Sequence, residues 1–197
     1  MRTGGFLLFR GAGNIKKPHS FAGMRHGCYN DDMKNLWIVN GTMGAGKSAV
    51  GEELAKILPD NAYLDGDWCW NVRPFFVNER AKERILDNIC LILGNYLKEP
   101  SLKNIIFTWV LHDWTVTQTI LSRLPLENVN VRAFTLTLSE KTLRARLMKD
   151  VAEHKRTAEV IERSVARLPL YENMPAQKIS AETLSPAEIA KKIKDSL

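Results

Sequence analysis

The sequence predicts an α/β protein in which a parallel sheet carries helices on both faces. From residue 36 onward, short apolar runs alternate with segments of helical periodicity, as in successive βα units. A glycine-rich loop, "GTMGAGKS", joins the first apolar run to the first helical segment. The chain has 197 residues, which is enough for one domain with a sizeable core.

Five apolar runs are predicted to be the strands of this sheet. Short runs of this kind, each followed by a turn or a helical pattern, are typical of strands buried on both faces. They span residues 36–40, 61–64, 104–111, 131–138 and 178–180.

Six segments with helical periodicity are predicted to pack on the sheet. Two of them have clear starts: Ser139 precedes "EKTLRARLMK" and Ser185 precedes "PAEIAKKIK". Each serine is a helix cap, and Glu or Pro follows it in the first turn. The helices span residues 47–58, 79–97, 115–122, 140–150, 158–171 and 186–194.

Residues 1–33 are predicted to lie outside the folded domain, which then covers residues 34–197. They contain many glycines, show no sustained periodicity and include an apolar run too short for the core of a secretory signal. We expect a disordered or non-native extension. Two alternatives stay open: an organelle transit peptide, and a native start at Met33, since "MKNLWIVNGTMGAGKS" resembles the beginning of compact proteins with this loop.

The net charge of +6 does not point to nucleic acid. Half of the excess lies within residues 1–33, where five basic residues face two acidic ones. The second basic concentration, residues 144–167, is interleaved with acids, and no aromatic and basic alternation follows a nucleic-acid backbone. We therefore expect small anionic ligands and no nucleic acid as partners.

Membrane insertion and a disulfide framework are also not expected. No stretch approaches the roughly 20 apolar residues of a membrane-spanning helix. Cys28, Cys69 and Cys90 are odd in number and free of CxxC spacing, so neither disulfides nor zinc is indicated. A reducing cytoplasm is the expected location, and the sequence does not indicate an oligomeric state.

Residues 41–48 match the pattern GxxxxGK[ST], with a strand leading in and a helix leading out. A chance match in a chain of this length has a probability of about 1%. The glycines let successive backbone N–H groups turn inward around an anion at a helix N-terminus. The predicted nucleotide contacts from this stretch are Gly41, Thr42, Met43, Gly44, Ala45, Gly46, Lys47, Ser48 and Ala49.

Lys47 and Ser48 supply the charge and the metal ligand that such a loop needs. Lys47 places an ammonium against the β and γ phosphates, and the Ser48 hydroxyl can ligate a magnesium ion that bridges the same oxygens. The alternative is a glycine-rich turn that only caps a helix. The pattern favours a nucleoside triphosphate, ATP, together with Mg²⁺.

Two carboxylates, Asp65 and Asp67, follow the second predicted strand in "AYLDGDWCW". At the carboxyl end of a strand beside the nucleotide loop, a carboxylate can accept a hydroxyl proton or hold magnesium through water. The alternative is a solvated Asp-Gly turn. With the phosphate loop present, we expect Asp65 to act in catalysis and metal binding, and Asp67 to bind the substrate.

Further candidates for the acceptor side follow these acids and the third strand. Arg73 is suited to a carboxylate, phosphate or hydroxyl of the acceptor, and the aromatic residues around it, at positions 68, 70, 75 and 76, either wall a pocket or belong to the core. His112 is a candidate acceptor contact or a structural residue. Asp113 either organises magnesium or caps the next helix.

A basic segment over residues 144–160 is predicted to form a lid. It lies on two helical patterns with a break near residues 152–157, so it can fold over a triphosphate, neutralise developing charge and exclude water. The alternative is a solvated pair of helices stabilised by ion pairs four residues apart.

These motifs together resemble the P-loop small-molecule kinases, a group that includes shikimate kinase, gluconate kinase, chloramphenicol phosphotransferase and tunicamycin-resistance-type proteins. The resemblance runs from residue 34 to the C-terminus and rests on "GTMGAGKS", "LDGD", "LTLSEKTLRARL" and "ISAETLSPAEIAKKI". It implies a P-loop NTPase three-layer sandwich with strand order 2-3-1-4-5, and transfer from magnesium-bound ATP to a small hydroxylated acceptor. It also implies that Arg146 lies beside the adenine and that lid arginines touch the phosphates.

The chain departs from the resembled kinases at two places. Where many of them carry a second arginine one helical turn after the first, this chain has Asp150, which leaves Lys149, Lys155 or Arg156 as substitutes. The glycine-rich acceptor stretch of shikimate kinase is missing, because the third strand ends "TWVLHDW". Shikimate is therefore not the expected acceptor.

The sequence thus predicts an ATP- and magnesium-dependent kinase for a small hydroxyl-bearing metabolite, nucleoside-like compound or antibiotic. The alternative is a nucleotide-binding switch or interaction module without a small acceptor. An NTPase that acts on nucleic acid is a third possibility, although the chain is short and contains no second NTPase motif.

Overall fold

The computed structural model describes residues 33–196 of the chain. Five strands form one sheet: β1 Lys34–Asn40, β2 Asn61–Asp65, β3 Asn104–Trp109, β4 Val129–Thr137 and β5 Gln177–Ser180. All neighbouring strands are parallel, and their order is β2-β3-β1-β4-β5. The predicted fold class and strand order are confirmed. Apart from Met33, the extension predicted over residues 1–33 lies outside the described residues.

Seven α-helices connect and cover the strands in the described part of the chain. They are α1 Lys47–Ile57, α2 Glu79–Lys98, α3 Trp114–Ser122, α4 Glu140–Ala152, α5 Glu159–Val165, α6 Leu168–Glu172 and α7 Pro186–Lys194. A short 3₁₀ helix, Gly66–Trp70, follows β2 and was not predicted. Among residues 33–196, no helix is both long enough and apolar enough to cross a membrane.

The single helix predicted over residues 158–171 is wrong. The chain forms α5 and α6 instead, and Pro169 lies in the first turn of α6. Proline has no N–H to donate, and its ring would clash with the carbonyl four residues earlier, so a continuous helix cannot pass through this position. The first turn of a helix tolerates proline, which is where the structure places it.

The third strand is also shorter than the predicted 104–111. It ends at Trp109, whose carbonyl accepts a hydrogen bond from the N–H of Leu111 at 3.1 Å. This tight turn takes residues 110 and 111 out of the sheet and changes the direction of the chain before His112. The other bounds differ from the predicted ones by one or two residues, as helix and strand ends commonly do.

Alternate residues of each strand face opposite layers of helices, as the two-residue period of a strand requires. Leu36 and Ile38 of β1 pack with residues of α2 and α3, whereas Trp37 and Val39 pack with residues of α1 and α7. These two clusters are the core of a three-layer sandwich. A third, smaller cluster joins α4 and α5 to Met43 of the glycine-rich loop.

The carboxyl ends of the parallel strands meet at one edge of the sheet. In the strand register, Asn40 lies beside Trp109, and Asp65 lies beside Thr108. The glycine-rich loop after β1 and the acids after β2 are therefore brought to the same edge, on either side of β3. Ligands of doubly wound sheets collect at this edge.

Candidate active site

The glycine-rich loop, residues 41–48, turns from β1 directly into α1. Gly44 and Gly46 have φ angles of +86° and +99°, a region that side chains disfavour. A Cβ on Gly44 would also lie 2.8 Å from a methyl carbon of Leu147 in α4. Gly46 is the N-cap of α1, so the free N–H groups of the first helical turn lie at the loop. This geometry suits an anion.

Lys47 extends its ammonium into the protein beneath the loop. The side chain is buried, and Nζ donates a hydrogen bond to the carbonyl of Thr42 at 3.0 Å. Burial lowers the pKa of Lys47 to about 8, although Asp67 and Asp65 act in the opposite direction. An anionic phosphate beside Nζ would favour the charged ammonium and raise this pKa again.

Ser48 and Asp65 are in direct contact across the site. The Ser48 hydroxyl donates to Oδ2 of Asp65 at 2.6 Å, and the Tyr63 hydroxyl donates to the same oxygen at 3.2 Å. The other oxygen, Oδ1, accepts the backbone N–H of Asp67 at 3.0 Å. Three donors thus fix the Asp65 carboxylate, which is itself buried.

Tyr63 reaches Asp65 because Gly51 leaves room for its ring. A Cβ on Gly51 would lie 2.6 Å from the Tyr63 ring and 2.7 Å from a methyl carbon of Thr108. The Tyr63 and Thr108 hydroxyls are 3.0 Å apart. Tyr63 was not among the predicted site residues, but its position two before Asp65 on one strand places both side chains on the same face.

Asp67 presents its carboxylate to the cavity beside the loop. Its Oδ1 accepts a hydrogen bond from the indole nitrogen of Trp109 at 3.2 Å. Desolvation, followed by the nearby charge of Asp65, raises the pKa of Asp67. Trp109 was also missed, because nothing in the sequence indicates that the last residue of β3 reaches an acid after β2.

The cavity has a volume of about 430 Å³ and lies between the glycine-rich loop and the predicted lid. The loop and α1 contribute residues on one side, and α4 with the following turn contributes basic and acidic residues on the other. The lining residues are Met43, Gly44, Gly46, Lys47, Ser48, Ala49, Asp67, Val110, Arg146, Lys149, Asp150, Glu153, Lys155 and Arg156.

Arg146 connects the loop to the segment after β5. Its guanidinium donates to the carbonyls of Ala45, at 3.3 Å, and Ala181, at 2.6 Å. Glu182, next to Ala181, accepts hydrogen bonds from the backbone and hydroxyl of Ser139 and from the hydroxyl of Thr142 at the start of α4. These bonds lower the pKa of Glu182 to about 2.

The remaining predicted residues do not line the cavity. Arg73 lies in the exposed segment 71–80 and makes no ion pair with another described residue. His112 is partly buried, and desolvation together with the charge of Arg167 lowers its pKa. Asp113 caps α3 by accepting the backbone N–H of Thr115 at 2.9 Å. Of the two roles expected for Asp113, the structure therefore shows the helix cap.

The aromatic residues after Asp67 divide between core and surface. Trp70 packs partly buried against the core and donates its indole N–H to the carbonyl of Phe76 at 3.1 Å. Trp68 packs edge-on against Tyr63 with ring centroids 5.2 Å apart, yet it is 59% exposed. Phe75 is 70% exposed. Neither exposed ring lines the cavity.

Comparison with protein families finds one match. A family model described as an AAA domain matches residues 38–167, which is more than half of the chain. No curated protein sequence matches significantly.

Solved structures with the same fold include one resistance protein and two kinases. The tunicamycin resistance protein of Deinococcus radiodurans has 20% identity and a TM-score of 0.59, over 83% of this chain and 95% of that one. A gluconokinase from Sinorhizobium meliloti has 17% identity and a TM-score of 0.59, over 82% and 90%. Shikimate kinase from Acinetobacter baumannii, in complex with shikimate, has 19% identity and a TM-score of 0.57, over 83% and 92%.

At these identities the structural likenesses show the fold, whereas the match over residues 38–167 shows the family. By that match the chain belongs to the AAA domain family, and it has the fold of the P-loop small-molecule kinases.

Proposed function

We propose that the protein is an ATP- and Mg²⁺-dependent kinase that phosphorylates a hydroxyl group of a small molecule. One observation carries the proposal: Asp65 joins the hydroxyl of Ser48, in the phosphate loop, to the backbone of Asp67, whose carboxylate lines the same cavity. A nucleotide loop and a second carboxylate are thus held at one cavity, as transfer to an acceptor requires.

The phosphate side of the reaction belongs to the loop. Backbone N–H groups at the start of α1 bind the phosphates, and Lys47 balances the charge on the β and γ groups. Arg146 supports the loop from the carbonyl of Ala45, on the side where the resemblance to P-loop kinases expects the adenine.

Ser48 and Asp65 are the residues suited to hold magnesium. Among residues 33–196, no three His, Cys, Asp or Glu side chains cluster as a metal site, so the ion would take its other ligands from phosphate oxygens and water. Bound there, Mg²⁺ would neutralise charge on the transferring phosphoryl group. The Ser48 hydroxyl, already 2.6 Å from Asp65, fits that role.

Asp67 is better placed than Asp65 to accept the proton of the acceptor hydroxyl. The oxygens of Asp65 already accept three hydrogen bonds, whereas Asp67 accepts one side-chain bond, from Trp109, and lines the cavity. As the acceptor oxygen forms its bond to the γ phosphorus, the bond from phosphorus to the ADP oxygen breaks and the hydroxyl proton passes to Asp67. Arg73 and His112 would contact an acceptor that extends beyond the cavity.

Calorimetry followed by an acceptor screen tests the proposal. Wild-type protein should bind a non-hydrolysable ATP analogue with Mg²⁺, and Lys47→Met should bind it much more weakly. Hydroxylated metabolites, nucleosides and antibiotics are then added in a thermal-shift screen with the analogue, because a true acceptor stabilises the protein by mass action. No heat from nucleotide with Mg²⁺ would overturn the proposal.

A nucleotide-dependent switch is the second candidate, and the exposed aromatic segment after Asp67 favours it. Exposed apolar residues beside a nucleotide site can report bound nucleotide to a protein partner. A partner retained only in the presence of ATP, with no metabolite that stimulates ADP release, would support the switch over the kinase.

We also propose that the protein works in the cytoplasm and without nucleic acid.

A further inference from the structure

Besides Arg146, the lid, residues 144–160, contributes three basic side chains to the cavity, and two of these three pair with one acid, Glu153. Lys155 lies 2.6 Å from Glu153, and Lys149 lies 3.9 Å from it. Their side chains are 65% and 76% exposed, respectively. At such exposure water and salt screen both charges, so neither lysine is placed to act strongly on a phosphate deeper in the cavity.

Arg156 lies deeper than the two lysines. Its side chain is 35% exposed and lines the cavity. The charge of Arg156 adds to the effect of burial in lowering the pKa of Lys47, and it opposes the rise in the pKa of Asp67. Lys47 and Asp67, which the proposed function places at the phosphate and at the acceptor, line the same cavity as Arg156.

Asp150 holds this guanidinium in an orientation that leaves its outer edge free. Nε of Arg156 donates to Oδ2 of Asp150 at 2.9 Å. The two terminal amino groups of Arg156 have no hydrogen bond to another described residue. A planar guanidinium that is held at Nε, with both terminal amino groups available, is suited to bind two phosphate oxygens.

Charge balance gives Asp150 a second effect. Without nucleotide, Arg156 and Lys47 are like charges at one cavity, and each disfavours the other. The carboxylate of Asp150 offsets this repulsion and keeps Arg156 at the cavity. Position 150 is also where many of the resembled kinases carry a second arginine, one helical turn after Arg146.

On the basis of the proposed function, we infer that Asp150 is a positioning residue that presents Arg156 to the γ phosphate. The arginine missing at position 150 is thus replaced by one that comes from six residues later and is held by the acid at that position. Arg156 binds the γ phosphate through its terminal amino groups while Nε stays on Asp150.

Calorimetry with two nucleotides tests this inference without an acceptor. Dissociation constants are measured for Mg–ADP and for the magnesium complex of the β,γ-imido analogue of ATP. Arg156→Gln should raise the dissociation constant of the analogue about 10-fold or more and that of ADP less than about 3-fold, because only the analogue carries a γ group. Asp150→Ala should weaken the analogue by about 5-fold, with ADP again little changed.

The double variant separates positioning from a structural role. If Asp150 acts through Arg156, adding Asp150→Ala to Arg156→Gln causes no further loss of analogue binding. Asp150→Asn keeps an acceptor for Nε, so its dissociation constant for the analogue should lie between those of Asp150→Ala and wild type. Arg163→Gln, at an exposed arginine of α5 that does not line the cavity, is the matched control, and we expect it to change the binding of both nucleotides equally and by less than about 2-fold.

Two outcomes overturn the inference and can be told apart. If wild-type protein binds neither nucleotide, the proposed function fails and the inference fails with it. If wild type binds both but Arg156→Gln weakens ADP and the analogue equally, the proposed function survives and the role of Arg156 is wrong. Additive losses in the double variant would remove Asp150 from its positioning role.

Discussion

The hydroxyl of Ser48, at the start of α1, lies 2.6 Å from Oδ2 of Asp65, at the end of β2. The strands that lead to these residues, β1 and β2, are not neighbours, because β3 lies between them. The hydrogen bond therefore connects the glycine-rich loop to the acidic turn across the width of a strand. It places a metal ligand of the proposed nucleotide site beside a carboxylate.

Replacing this carboxylate by an amide tests its role with magnesium. Asp65→Asn keeps an oxygen for Ser48 but removes the charge, so acceptor-dependent ADP release should fall about 100-fold or more, whereas ATP binding without metal stays close to wild type. Turnover is measured over a Mg²⁺ titration. Asp87→Asn, at a surface ion pair with Arg123, is the control and should leave turnover unchanged. Undiminished turnover in Asp65→Asn would contradict the assignment.

Lys47 should make the stability of the nucleotide-free protein increase as the pH rises from about 8 to 10.5. Its folded pKa of about 8 is below the ordinary 10.5, so the unfolded chain binds more protons between these values. The cost of the buried ammonium is fully present below pH 8 and disappears as the pH rises toward 10.5. Lys47→Met should therefore raise the free energy of unfolding at pH 7 by about 2–3 kcal/mol.

Urea denaturation at pH 7 and pH 10 checks this prediction. The stabilisation by Lys47→Met should shrink at the higher pH. Lys56→Met, at an exposed lysine on the same helix, should change the free energy of unfolding much less than Lys47→Met at pH 7. A Lys47→Met variant less stable than wild type at pH 7 would show that the hydrogen bond to Thr42 outweighs the cost of burial.

Gly51 should not tolerate a methyl group. In Gly51→Ala the new Cβ would approach the Tyr63 ring to 2.6 Å, so the ring must move from Asp65. We expect a loss of about 1–3 kcal/mol in the free energy of unfolding. Gly94→Ala is the matched control, since its Cβ would meet only one atom within 4.0 Å and alanine favours a helix interior. It should stabilise by about 0.5–1 kcal/mol. Stabilisation in both variants would contradict the close packing at Gly51.

Glu182 should contribute stability at neutral pH that is lost in acid. Its hydrogen bonds at the start of α4 lower its folded pKa to about 2 from the usual 4.5. The stability that it contributes is therefore present above pH 4.5 and is lost as the pH falls toward 2. Glu182→Gln should lower the melting temperature at pH 7, and the difference from wild type should narrow near pH 2.5. Glu172→Gln, at an exposed glutamate, is the control. A difference in melting temperature between Glu182→Gln and wild type that widens in acid would refute the prediction.

Local sequence patterns were enough to predict the architecture and the glycine-rich loop. The spacing of glycines, Lys47 and Ser48 specifies the loop because its backbone torsions and its helix are formed by consecutive residues. The same local reasoning failed at the helix expected over residues 158–171, where the effect of Pro169 on the preceding turn outweighed the apolar period.

Only the tertiary structure decided which side chains meet. Tyr63 and Trp109 reach the two acids because β2 and β3 pair in one particular register, and because Gly51 and Gly66 allow the rings to approach closely. Asp150 meets Arg156 because the chain turns back after α4. The sequence by itself determined the fold and the glycine-rich loop, since both follow from short-range periodicity and torsions. Contacts between distant segments depend on strand order and packing, which no local pattern encodes.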